Sequence, residues 1–373
     1  MTGLCKGITV IMLFAFWLTG PEWVAGEELL PEISASTAIL VDRRTGQVYY
    51  AKEADKQRHP ASTTKILTGI LAIERGRLEE EVVVGRKAAG ITIGSTLNLQ
   101  QGDRLTLKDL VKGALLVSAN DSTVAIGEHI GGKGGVFMEM MNTKALLMGA
   151  TRSNFLNTNG YSKPNHYTTA ADLARMSRYA LDNPLFAEIV ATKESSIAII
   201  DRQGQEKMVD LRNTNRLLGD YPGINGVKTG TTSAAGGCLV TSAVQNGRSL
   251  ITVVLKSRSR YRDTVKLLNF GFKELVEEVM AERGQIWTQV SVTGGKKTTV
   301  QVVAEQRISF ILPAKIIAKV EKKVELPGSI PAPVAKGQKV GTLTVSYQGQ
   351  VLGQTDLLSA IEVKELNFWD KLF

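Results

Sequence analysis

Two hairpin signals bracket a stretch that otherwise reads as helix, and that arrangement constrains the fold more than any other feature. Thr37–Asp42 and Gln47–Tyr50 are β-prone runs around Arg43-Arg44-Thr45-Gly46, with Gly46 supplying the turn. Gly237–Ala243 and Ser249–Leu255 form a second pair joined at Asn246-Gly247. Between them Ser62–Glu74, Leu107–Gly131, Val136–Met148 and Thr169–Leu181 read as helices. The first follows Pro60 and is apolar round most of its circumference, so it should be buried. The spacing of Val265, Leu268, Phe272, Leu275 and Val279 predicts a last amphipathic helix over Arg262–Glu282. Strands at both ends with helices between give an α+β chain, a sheet covered by helices.

From Gly284 the pattern changes to short β-prone runs separated by turn residues: 286–292, 298–304, 308–312, 318–326, 341–347 and 351–356. We expect a signal segment at 1–26, a catalytic domain at 27–283, a small all-β domain at 284–360 and a short tail at 361–373. The signal rests on Gly7–Gly20, an apolar run too short to span a bilayer comfortably, and on small residues at Ala25-Gly26. Export is therefore expected, to the periplasm, the outer face of the cytoplasmic membrane or the cell wall. The net charge of +9 suits anionic partners. Nucleic acid is not expected, since no block of five or six Lys/Arg residues appears and aromatic residues make up only 6%.

The chemistry is narrowed by exclusion. No serine has glycine at both −2 and +2, no His-Glu-x-x-His helix occurs, and no Gly-x-x-x-x-Gly-Lys-Ser/Thr cradle exists. Three scattered histidines make a poor metal inventory, and no cofactor is expected. Cys238 lies in an apolar run and reads as an inert buried thiol. Of 21 serines only Ser62 is followed three residues later by lysine, Lys65. At a helix start the two share a face. Burial and a second cation would lower the pKa of Lys65 enough for it to act as a base toward the Ser62 hydroxyl. Read by themselves, those four residues are more simply a helix cap followed by a solvated lysine.

Two further clusters favour catalysis. Ser118-Ala119-Asn120 falls between helical stretches, placing a hydroxyl and an amide where both reach one cleft. Lys228-Thr229-Gly230 opens a β-type run. Its lysine offers charge for a carboxylate and Thr229 offers a donor, while Gly230 leaves room for an extended substrate. Lys228 is also a candidate for the cation beside Lys65. Read singly, these are a turn and a strand lysine.

Together, in this order, the clusters resemble the serine D-alanyl-D-alanine carboxypeptidases, low-molecular-mass penicillin-binding proteins related to serine β-lactamases. His59–Ile66, Asn165–Thr168 with Asp172, Asn213–Asn215, Gly223–Thr232 and Ala235–Cys238 also resemble family segments. The resemblance implies an antiparallel sheet covered by helices, with a helical subdomain. It implies that Ser62 forms an acyl-enzyme with Lys65 as base, and that Ser118 relays the proton. It further implies that Asn120 contacts Lys65 and substrate, and that Lys228, Thr229 and Gly230 bind the substrate end. Backbone N–H groups of Ser62 and Thr231 would form the oxyanion hole. Peptidoglycan stem peptides are the implied substrate, and β-lactams the implied covalent inhibitors. The apolar residues of Leu366–Phe373 suggest weak peripheral membrane contact, or simple packing. A β-lactamase, a D,D-endopeptidase and a non-catalytic sensor are the rivals. The first is disfavoured by the lack of a Glu-x-x-x-Asn segment between Asn120 and Lys228.

Overall fold

The computed structural model describes residues 30–132 and 135–367. The expected signal segment and the last six residues of the tail lie outside the described residues. The chain divides into two compact units, one spanning Pro31–Leu275 and the other starting at Val276.

In the first unit the strands β1 (Thr37–Asp42) and β2 (Val48–Lys52) form the expected hairpin, with Gly46 at φ +80°. A single 3₁₀ turn, Ala61–Thr64, leads into α1 (Lys65–Arg75). Next come β3 (Glu81–Val83), α2 (Arg86–Ala89) and β4 (Arg104–Thr106). The helices α3 (Leu107–Leu115), α4 (Asn120–Gly131), α5 (Val136–Leu147), α6 (Ala170–Leu181) and α7 (Pro184–Ala191) follow. Two hairpin strands, β5 (Glu194–Ile200) and β6 (Glu206–Arg212), precede β7 (Ile224–Thr232), β8 (Gly236–Gln245), β9 (Arg248–Ser257) and α8 (Arg260–Asn269).

The first and last pairs of strands meet in one antiparallel sheet of order β2-β1-β9-β8-β7, so β7 is an edge. Asn246 and Gly247 both have positive φ, the two-residue turn whose twist matches the β8 and β9 strands it joins. A second sheet, β3-β4-β5-β6, had no counterpart in the sequence reading. Its outer strand, Glu206–Arg212, is mostly exposed and charged, so it lacks an alternating apolar pattern. Helix starts follow local chemistry: Thr106 and Thr169 accept from Asp109 N and Asp172 N, and Asn183 caps α7 just ahead of Pro184.

Helix α1 is buried from Lys65 to Ala72 and packs on α3, α4, α5 and α6. Its Ile66, Leu67, Ile70 and Leu71 each contribute about 1.5–3 kcal/mol of burial. The expected helix over Arg262–Glu282 is corrected. α8 ends at Asn269, Phe270–Glu274 forms a wider π turn, and Leu275–Ala281 is a strand, β10. The second unit begins with that strand, which pairs with β13 (Ile308–Pro313).

The rest of the second unit comprises β11 (Ile286–Thr293), β12 (Thr299–Ala304), the short helix α9 (Ala314–Ile317), β14 (Glu321–Glu325), β15 (Ser329–Pro331), β16 (Lys339–Tyr347) and β17 (Gln350–Ser359). Six strands form a sheet of order β14-β16-β17-β12-β11-β15. Its inward residues Val290, Val302, Leu343 and Leu357 share a core with Met280 and Leu312 of the β10–β13 pair. No helix among the described residues is long and apolar enough to cross a membrane.

Candidate active site

Ser62 lies in the 3₁₀ turn rather than in α1 itself. In a 3₁₀ turn residues three apart eclipse one another, which aligns Ser62 with Lys65. Ala61, just before it, is held at φ +49°, a conformation that costs a non-glycine residue about 1–3 kcal/mol. Two glycines permit the fit. A Cβ on Gly160 would stand 1.8 Å from the Ala61 carbonyl oxygen, and one on Gly230 would stand 2.8 Å from Ser62 N. The β7 edge therefore runs directly against the serine turn.

Lys65 is fully buried, and its Nζ lies 3.1 Å from Ser62 Oγ, 2.7 Å from Asn120 Oδ1 and 2.9 Å from the Asn159 carbonyl. Burial, then the nearby Lys228 cation, hold its pKa well below the ordinary lysine value, while Asp121 opposes them. A neutral amine has two N–H groups and one lone pair. The amide and backbone oxygens can only accept, so they take both hydrogens. The lone pair is left for the one partner able to donate, the Ser62 hydroxyl.

Asn120 opens α4, and its Nδ2 donates to Ile93 O at 2.9 Å and to Tyr161 Oη at 3.3 Å. Ser118 occupies the break between α3 and α4 at φ +66° and lines the same cleft as Ser62. Among the described residues no hydrogen bond ties its hydroxyl to Ser62 or Lys65. On β7 Lys228 is 1% exposed, with Nζ 3.2 Å from Thr229 O. Burial first, and Arg260 second, push its pKa down to about 7. Thr229 Oγ1 lies 2.8 Å from Thr214 Oγ1. Arg260 Nη1 donates to Gly230 O at 2.8 Å and to Thr231 Oγ1 at 2.7 Å.

A cleft of about 690 Å³ joins these parts, lined by Ser62, Ser118, Asn120, Thr229, Gly230 and Thr231 among others. Lys65 and Lys228 stand behind its wall. Cys238 is buried, and burial raises its thiol to about 11, as befits an inert core residue. His166, likewise core, is lowered to about 4 by burial and packs edge-on to Phe155.

The sequence reading missed Asn159, Gly160, Tyr161, Thr214 and Arg260. Asn159 acts through its backbone, which no side-chain pattern announces. Thr214 sits inside the Asn213–Asn215 segment already singled out, and Arg260 lies in the basic run 256–262.

This sheet, its helical cover and the serine–lysine pair define an enzyme of the penicillin-binding-protein and β-lactamase-like fold. The profile of the D-alanyl-D-alanine carboxypeptidases matches residues 25–259, and that of the penicillin-binding protein 5 C-terminal domain matches 278–365. The chain belongs to the D-alanyl-D-alanine carboxypeptidase family. It is 32% identical to D-alanyl-D-alanine carboxypeptidase DacF of Bacillus subtilis, over 90% of this chain and 87% of that one. Identity to DacD of Escherichia coli is 31%, over 92% and 90%. Penicillin binding protein 5 from Haemophilus influenzae is similar in structure at TM-score 0.65 and 29% identity, covering 90% of this chain and 99% of that one. The Streptomyces K15 DD-transpeptidase matches at TM-score 0.62 and 30% identity, over 65% of this chain and 98% of the other. The chain is a serine-type D-alanyl-D-alanine carboxypeptidase, a hydrolase; the β-lactamase, endopeptidase and sensor alternatives are not favoured.

Proposed function

We propose that Ser62 is the nucleophile and Lys65 its general base, on peptidoglycan stem peptides ending in D-alanyl-D-alanine. The supporting observation is the buried Lys65 amine, 2.7 Å from Asn120 Oδ1, 2.9 Å from Asn159 O and 3.1 Å from Ser62 Oγ, a set in which the neutral amine gives its two hydrogens to the first two and turns its lone pair to Ser62. Ser62 Oγ attacks the carbonyl carbon of the penultimate residue and its proton passes to Lys65 Nζ. Backbone N–H groups of Ser62 and Thr231 hold the oxyanion, a contribution of about 10²–10³ in rate per donor. The C–N bond breaks as the departing D-alanine amine takes the proton by way of Ser118. Water then cleaves the ester, releasing the shortened peptide and free Ser62.

Lys228 as ammonium, with Thr229, binds the terminal carboxylate, and Gly230 lets the extended peptide lie along the β7 edge. Asn120 orients Lys65 and contacts substrate. β-Lactams, whose ring amide imitates the scissile bond, acylate the same serine. The unit ending at Leu275, within the expected 27–283, carries this chemistry, and the β unit from Val276 onward, which contains 284–360, is accessory. The substrate places the enzyme outside the cytoplasm, following cleavage of a signal segment at 1–26. The apolar side chains at the end of the tail add weak contact with the membrane surface.

The test is release of D-alanine from diacetyl-Lys-D-Ala-D-Ala by the purified chain, with labelled penicillin attaching to wild type and not to Ser62→Ala. Penicillin labelling without D-alanine release contradicts the turnover step.

A further inference from the structure

We infer that Tyr161 is a positioning residue for Lys65, acting through the side-chain amide of Asn120. This rests on the assignment of Lys65 as the base. Four consecutive residues of the loop before α6 each touch a different part of the site. The carbonyl of Asn159 accepts from Lys65, and Gly160 sits against the Ala61 carbonyl. Tyr161 Oη donates to Ile93 O at 2.6 Å, and Ser162 Oγ lies 2.8 Å from Thr232 Oγ1 at the end of β7.

The Tyr161 hydroxyl also accepts from Asn120 Nδ2, which shares Ile93 O with it. Asn120 Nδ2, Tyr161 Oη and Ile93 O thus close a three-membered ring of hydrogen bonds, and both hydrogens of the amide are used. That ring determines which end of the amide faces Lys65. A carboxamide turned by a half-rotation presents N–H groups to Lys65 instead of oxygen. It then competes with the Ser62 hydroxyl for the single lone pair, and the base is blocked. Ile93 O resists the rotation alone; the phenol adds a second acceptor and anchors the Ile93 carbonyl. The contacts are polar and sit at the mouth of the cleft, where packing does not require a phenol over a phenyl ring.

The turned amide has a second consequence. Its oxygen no longer stabilises the Lys65 ammonium, so the pKa of Lys65 falls further. The charged groups acting on Lys65, Lys228 from β7 and Asp121 from α4, are unchanged by substitution at Tyr161.

The test compares the full chain with Tyr161→Phe in D-alanine release and in penicillin acylation across pH. We expect kcat to fall about 2–10-fold, the value of one lost hydrogen bond, with KM within about twofold. The rising limb of the pH profile should move to lower pH. A loosened fold would not lower that limb while leaving KM intact. Tyr161→3-fluorotyrosine, which keeps the hydroxyl, should restore kcat to within about twofold of the parent. An unchanged kcat and limb in Tyr161→Phe, or no rescue by the fluorinated residue, overturns the role of Tyr161 alone. A parent chain that neither acylates nor turns over removes the underlying assignment as well.

Discussion

Lys65 Nζ and Asn120 Oδ1 are 2.7 Å apart, with no water or other side chain needed to join them. An uncharged oxygen at that point accepts a hydrogen and stabilises an ammonium far less than a carboxylate would. The isosteric change Asn120→Asp would put a carboxylate in the same place, favouring the ammonium and raising the pKa of Lys65. Penicillin acylation near neutral pH is expected to fall by about 10²-fold or more, the low end of general-base contributions. The rising limb of its pH profile should move to higher pH, the opposite of the shift expected at Tyr161. Stopped-flow acylation across pH measures both.

If Lys65 is the base and Lys228 holds the substrate carboxylate, the two buried lysines act in opposite protonation states, and activity against pH should be bell-shaped. Lys65 must be neutral, and the rate rises as pH climbs through its lowered pKa. Lys228 must be charged to hold a carboxylate, so kcat/KM declines as pH rises through about 7. In Lys228→Gln the falling limb should disappear and KM should rise at least about tenfold, as measured by D-alanine release.

Gly160 and Gly204 both have positive φ, at +93° and +80°, yet only the first is confined. A Cβ at Gly204 meets nothing within 4 Å, so Gly204→Ala should cost only about 1–2 kcal/mol of backbone strain. Gly160→Ala drives a methyl into the Ala61 carbonyl and should cost more than about 4 kcal/mol, abolishing acylation as well. Urea unfolding of the two variants, side by side, checks the difference.

Cys238 is buried against His59 O and Ala235 O, and burial lifts its thiol to about 11. It should resist Ellman's reagent at pH 8 in the folded state and react only after denaturation. Prompt reaction of native residues 27–373, which lack Cys5 and carry Cys238 alone, would contradict the buried placement.

What the sequence disclosed follows from which interactions carry a residue signature. Asn246-Gly247 named its hairpin because few other pairs adopt two positive φ values. Ser62, Lys65, Asn120 and Lys228 were legible because the chemistry proposed for them needs those side chains at those separations. Asn159 and Ile93 were not, since each contributes a carbonyl oxygen that any residue supplies. The misplaced helix over Arg262–Glu282 has a physical cause too. Leu275 and Val279 continue the apolar spacing of α8, but the π turn at Phe270–Glu274 interrupts it and pairing with β13 turns the next segment into a strand. Hydrophobic period alone cannot register a partner strand so far along the chain. For α7 the cues were present, Asn183 followed by Pro184, in a helix too short for its periodicity to stand out.

The most direct test of the account is the second-order rate of penicillin acylation in Lys65→Ala beside the parent chain, with a folded state verified by circular dichroism. If the amine of Lys65 draws the proton from Ser62, the variant should be slower by about 10²–10⁴-fold. A Lys65→Ala chain that acylates as fast as the parent would contradict that role.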